Sequence, residues 1–142
     1  MSSNEKYIRW QGITLNQVTF VINLLLGLAT ATLGFSASLL KDEKFIPTGK
    51  VKCLFTFALL SQLIALLFGI IAVISRTLDF RCTAQIARKK FGEGESVKST
   101  RLRVKRLGKT TWFSFWVQLS SFGLGILSLI VSILMIYSDK LF

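Results

Sequence analysis

The chain has 142 residues, 51% of them hydrophobic, and carries a net charge of +11 with no histidine. A soluble domain seldom combines those properties, since its helices need a charged face for solvent. The lack of histidine also removes the commonest general base and metal ligand. Apolar content and charge coexist here by segregation. No Asp, Glu, Lys or Arg lies between Arg9 and Lys41, between Lys52 and Arg76, or between Lys109 and Asp139. These gaps hold 31, 23 and 29 residues, and roughly 20 apolar residues at about 1.5 Å each cross a bilayer core. The predicted fold is an all-α integral membrane protein of one domain. It has three transmembrane helices, and a cytoplasmic helical hairpin joins the second and third.

The first helix is expected over residues 14–40. Thr14-Leu15-Asn16-Gln17 fits a capping box, in which Thr14 accepts from the Gln17 amide and Gln17 reaches back. Lys6, Arg9, the apolar stretch and Ala29-Thr30-Ala31 imitate a signal peptide, but apolar residues continue to Leu40, which favours a retained helix. Lys41 to Lys44 and Pro47-Thr48-Gly49 have the chemistry of a short turn. A second helix is predicted over 52–91, leaving the membrane near Ser75, because no Gly or Pro interrupts it between Gly69 and Gly92. Its cytoplasmic part carries the stripe Phe80, Ala84, Ala87 and Phe91. After a turn at Gly92-Glu93-Gly94-Glu95-Ser96, a third helix is expected over 97–138, with Val97, Val104 and Leu107 on one side. Residues 77–109 would then form a hairpin projecting roughly 20 Å, at 1.5 Å per residue. A disordered basic loop is the alternative.

The basic residues predict the orientation. With three spans, the N-terminal tail and second loop share one side and carry thirteen Lys and Arg, against five on the other. The positive-inside rule places the richer side in the cytoplasm, with the C-terminus outside. Tyr7, Trp10, Trp112 and Trp116 would lie at the cytoplasmic interface and Tyr137 at the opposite one, where amphipathic rings are favoured.

Each span also carries a stripe of small and polar residues at steps of three and four, strictly alternating in the third. In the third it is Thr111, Ser114, Gln118, Ser121, Gly125, Ser128 and Ser132, with Trp112 and Trp116 facing away. The first has Asn16, Thr19, Asn23, Gly27, Thr30, Gly34 and Ala37; the second has Ala58, Gln62, Ala65, Gly69 and Ala72, leading to Arg76 and Asp79. Small residues let backbones approach where no hydrophobic effect drives association, and polar ones hydrogen-bond across the contact. Asn23 and Gln62 are each about 14 Å from a helix end at 1.5 Å per residue, near the midplane, and are expected to pair. Arg76 and Asp79, three apart, can pair on one face. The stripes allow packing within one three-helix unit, assembly of a homo-oligomer, or, for the third, the lining of a pore built from several subunits.

Arg88, Lys89, Lys90, Lys98, Arg101, Arg103, Lys105, Arg106 and Lys109 crowd the cytoplasmic hairpin. They are candidates for binding anionic lipid headgroups, at about 1 kcal/mol per basic residue near the surface, or an acidic protein partner. Nucleic acid is disfavoured, since the second arm lacks interleaved aromatics and any known module. Cys53 and Cys82 would stand about 44 Å apart along one helix, too far for a disulfide or a shared metal. Gly92 to Ser96 lacks the Lys-Ser/Thr of a phosphate loop; Glu93 and Glu95 there read as a solvated turn rather than an acid–base pair. No span contains the ionisable residue a proton-coupled carrier normally uses. No catalytic residue, metal or cofactor is predicted.

Two functions are compatible with this pattern. The first is a non-enzymatic membrane subunit or anchor that presents the basic hairpin to a protein partner or anionic lipid. The second is a self-assembling channel or membrane-perturbing effector lined by the polar face of the third helix. The architecture is similar in outline to small bacterial membrane proteins with a basic cytoplasmic hairpin, some of which belong to multi-protein systems, defence systems included. That likeness implies a bacterial inner-membrane location, and no diagnostic motif accompanies it.

Overall fold

The computed structural model describes residues 3–42, 45–89 and 95–138, with side chains at 12–14, 16–42, 45–83 and 102–138. Three helices account for nearly all of them: α1 (Ser3–Leu39), α2 (Gly49–Lys89) and α3 (Glu95–Ile136). There is no strand among the described residues. The three contain 37, 41 and 42 residues, hence about 55 to 63 Å each at 1.5 Å per residue. Each includes a stretch long and apolar enough to cross a membrane: Gly12–Leu39, Gly49–Thr83 and Leu102–Ile136.

α1 begins eleven residues before the Thr14 boundary expected from the capping box. Thr14 therefore lies inside a helix, and its hydroxyl has no orphan N-terminal amides to cap. A second such signature, Ser2-x-x-Glu5, stands upstream, and nothing between the two breaks a helix except Gly12, which a helix interior tolerates at about 1 kcal/mol. The turn of predicted residues 92–94 and Lys90 lie outside the described residues, as do the side chains of Ala84, Ala87, Val97 and Ser96.

The α1–α2 connection is compact. Asp42 N–H donates to Leu39 O at 3.1 Å and Phe45 N–H to Asp42 O at 2.9 Å. This turn drives Phe45 into the α1–α2 loop end of the bundle, where it is 4% exposed. Its ring lies 5.1 Å from that of Phe55, over Ala58 and Leu129, with Ile133 and Tyr137 packed alongside. Gly49 then opens α2 with φ +53°, a left-handed conformation that a side chain would disfavour.

α2 and α3 run antiparallel and pack against each other through their apolar stretches, while α1 rests mainly on α2. The bundle is inside-out relative to a soluble one. Leu60, Leu67, Ile74, Phe113, Trp116 and Leu127 face outward, whereas the interior holds Ala58, Ala65, Ala72, Gln62, Ser114 and Gln118. Small residues at the α2 contact are what let the two backbones come close.

Candidate functional site

The structure places Ala58, Gln62, Ala65, Gly69 and Ala72 of the α2 stripe in the buried interior. On α3, Thr111, Ser114, Gln118, Gly125 and Ser132 are buried, while Ser121 and Ser128 are only half-buried. Their neighbours Phe122 and Leu129 take the inner positions instead. Phe122 packs with Leu25, Ala29 and Ala65, and Leu129 with Phe45, Phe55 and Ala58. Trp112 and Trp116 face outward, at 54% and 58% exposure.

The stripe of the first span is where the expectation fails. Asn23 is exposed, as are Asn16, Gly27, Thr30, Gly34 and Ala37. The contact face of α1 is Ile22, Leu25, Ala29 and Ser36, one residue out of phase, which is about 100° of rotation at 3.6 residues per turn. The hydroxyls explain why they did not dictate the face. Thr30 Oγ1 donates to Leu26 O at 2.9 Å. A hydroxyl satisfied by the preceding turn needs no second helix. Gly27 and Gly34 have nothing within 4 Å of an added Cβ, so no close approach uses them. The Asn23–Gln62 amide pair consequently does not form.

Two glutamines instead occupy the interior, in separate layers. Gln118 is fully buried and its Nε2 donates to the backbone carbonyl of Ile22 on α1 at 3.3 Å. It lies against Gly69 of α2, where an added Cβ would sit 2.6 Å from Nε2. Gln62 is 1% exposed and lies against Gly125 of α3, where an added Cβ would sit 2.9 Å from its Nε2. Each glutamine thus covers the glycine that follows its counterpart by one heptad. Neither Gln62 Oε1 nor Nε2 makes a hydrogen bond, and Gln118 Oε1 makes none. Thr111 and Ser132 are satisfied within α3, donating to Leu107 O at 2.9 Å and Ser128 O at 2.8 Å.

Further along, where charge returns to α2, the three helices enclose a cavity of about 140 Å³. Its walls are Thr14 and Val18 from α1, Arg76 and Asp79 from α2, and Gly108, Thr111, Trp112 and Phe115 from α3. The Arg76 guanidinium lies 5.5 Å from the centre of the Phe80 ring, and Asp79 Oδ1 is buried without a hydrogen bond. The sequence showed the Arg76–Asp79 spacing but not the cavity. Extending the antiparallel register of the glutamine layers by two turns sets Arg76 opposite Thr111 and Asp79 opposite Gly108, and that was the available signal.

Of the basic candidates, Arg103, Lys105, Arg106 and Lys109 are exposed on α3. Arg88 and Lys89 lie on α2, Lys98 and Arg101 on α3, with side chains outside the described residues. Cys53 and Cys82 are unbridged, near opposite ends of the apolar stretch of α2. Among the described residues no three His, Cys, Asp or Glu come together as metal ligands. No protein-family model matches the chain, and neither a curated protein nor a solved structure shows significant similarity to it.

Proposed function

We propose that this chain is a non-enzymatic membrane subunit or anchor, seated in a bacterial inner membrane, that presents a basic cytoplasmic hairpin to an acidic protein partner or to anionic lipid. One observation carries the reading. α2 continues past Ser75 to Lys89, and α3 starts at Glu95, well before its charge-free stretch opens after Lys109. Both helices therefore outrun a bilayer core of about 30 Å on the same side, by roughly 20 Å at 1.5 Å per residue. The excess length is where the positive charge is concentrated, and apart from Arg76, which lines the cavity, its described basic side chains are exposed. The unequal distribution of Lys and Arg supports an N-terminus in the cytoplasm and a C-terminus outside.

The second reading, a channel or membrane-perturbing effector lined by α3, has less support. Thr111, Ser114, Gln118 and Gly125 are already turned against neighbouring helices, so a pore would require α2 and α3 to separate.

The test is cross-linking in intact membranes of the wild type and of a variant with Arg101, Arg103, Lys105 and Arg106 replaced by Gln. Loss of the wild-type cross-linked species is expected; an unchanged set overturns the platform. Orientation has an independent readout in the native cysteines. A membrane-impermeant maleimide added to spheroplasts should label Cys53 and spare Cys82 until the cells are lysed. The reverse pattern overturns the assigned topology.

A further inference from the structure

We infer that the cavity between the three helices at Arg76 and Asp79 is a binding site for a phosphate ester bearing a primary ammonium, as the headgroup of a phosphatidylethanolamine presents it. The charges come first. Among the described residues the walls hold one cation, Arg76, and one anion, Asp79, three residues apart. A purely anionic or cationic ligand would meet a like charge there, whereas a zwitterion can set each end against its opposite. Arg76 has its guanidinium over Phe80 at 5.5 Å, while Asp79 Oδ1 is buried and accepts no hydrogen bond. An ammonium supplies the donor that this oxygen lacks, with the added strength of an ionised partner.

The remaining walls suit the same group. Thr111 Oγ1 gives its proton to Leu107 O at 2.9 Å, which leaves its lone pairs as further acceptors. Trp112 and Phe115 contribute aromatic rings, 5.7 Å apart between centroids, and aromatic faces attract ammonium groups. The volume is adequate for the ammonium end of the ligand. Allowing each heavy atom the roughly 30 Å³ of a water molecule, an ammonioethyl group of three heavy atoms needs at most about 90 Å³, within the 140 Å³ present. A trimethylammonium is larger and has no N–H to donate to Asp79.

The lipid route is short. Trp112 lines the cavity and is also 54% exposed on the outer face, so the site borders the lipid-facing surface where charge returns to the chain. An ethanolamine phospholipid has no net charge, so the basic hairpin does not select it over the choline analogue. Selectivity between the two isolates the cavity.

The experiment is native mass spectrometry of protein equilibrated in detergent with equal amounts of phosphatidylethanolamine and phosphatidylcholine of identical chains. The wild type should retain the ethanolamine lipid over the choline lipid by about tenfold or more, the scale of a charge-assisted hydrogen bond. Asp79→Asn should bring that ratio close to one. Gly108→Leu provides a variant that leaves the charges intact. An added Cβ at Gly108 meets nothing within 4 Å and leucine is the better helix former, so α3 is expected to stay helical, which a circular dichroism spectrum equal to wild type checks, while the longer side chain occupies the cavity. It should abolish selectivity too. A wild-type ratio near one, as a merely water-filled cavity would give, overturns the inference, as does a Gly108→Leu ratio equal to wild type. Soluble phosphoethanolamine distinguishes the source. If millimolar amounts leave the lipid adduct in place the ligand is the lipid; if they displace it, the free ester is the ligand of the same site.

Discussion

Gly69 and Gly125 both underlie a buried glutamine, yet alanine at the two positions should have opposite consequences. At Gly69 an added Cβ would sit 2.6 Å from Gln118 Nε2 and from Leu26 Cδ2, and 2.9 Å from Leu26 Cγ. The amide is held there by its bond to Ile22 O, and Cγ is a branch point close to the α1 backbone. Relief requires α1 to move and the Gln118 bond to break. Overpacking of this kind costs about 1–3 kcal/mol and the bond adds about 0.6 kcal/mol, against about 1 kcal/mol gained from alanine's helix propensity. The net expectation is a loss of about 1–2 kcal/mol. At Gly125 the contacts are Gln62 Nε2 at 2.9 Å, Gln62 Cδ at 3.2 Å and Ser61 Cβ at 3.2 Å. Gln62 makes no hydrogen bond that would hold its amide in place, so the tip of that flexible chain can turn aside, and Ser61 Cβ need give by only a few tenths of an ångström. Gly125→Ala should be neutral or stabilising by up to about 1 kcal/mol. The two variants then differ by about 2 kcal/mol, or about 30-fold in the equilibrium constant. Reversible unfolding in mixed detergent and SDS, followed by tryptophan fluorescence, measures that difference. Equal stabilities, or a greater loss at Gly125, would refute the claim that the Gln118–Ile22 bond pins α1 to α3.

The same assay serves two further substitutions. Gln62→Met keeps the length of the side chain and removes two buried polar atoms that have no partner; a gain of about 1 kcal/mol is expected. A loss of that size would mean that the fold depends on the Gln62 amide. Phe45→Ala removes the ring packed on Phe55, Ala58 and Leu129 and should cost about 3 kcal/mol, with faster proteolysis of the 41–49 connection. A cost below about 1 kcal/mol would show that this end of the bundle is not sealed by the residue.

How legible the molecule was in its sequence varies by element. The three apolar stretches are bounded by charge, which composition alone reveals, and all three recur as helices. The face of α2 was legible because Ala58, Ala65, Gly69 and Ala72 are small and no alternative stripe on that helix is. The face of α1 was not. Thr30 satisfies its hydroxyl through its own backbone and Gly27 and Gly34 meet no neighbour; the real contact relies on Ile22 and Leu25, which resemble the outward-facing Leu24 and Leu28. The junction cavity escaped because a space is defined by what several helices leave unfilled. Gly108, which opens it, is one of ten glycines in the chain.

The exchange between α2 and α3 has a consequence for biogenesis. Gln62 covers Gly125 and Gln118 covers Gly69, so rotating the helix pair by half a turn about an axis in the membrane plane nearly superimposes this contact on itself. An inverted copy would pack its two central layers equally well. Internal helix contacts are the same whether a bundle is inserted upright or upside down, so the choice falls to the distribution of lysine and arginine. Removing enough of that bias should yield a population with mixed topology rather than one that fails to fold.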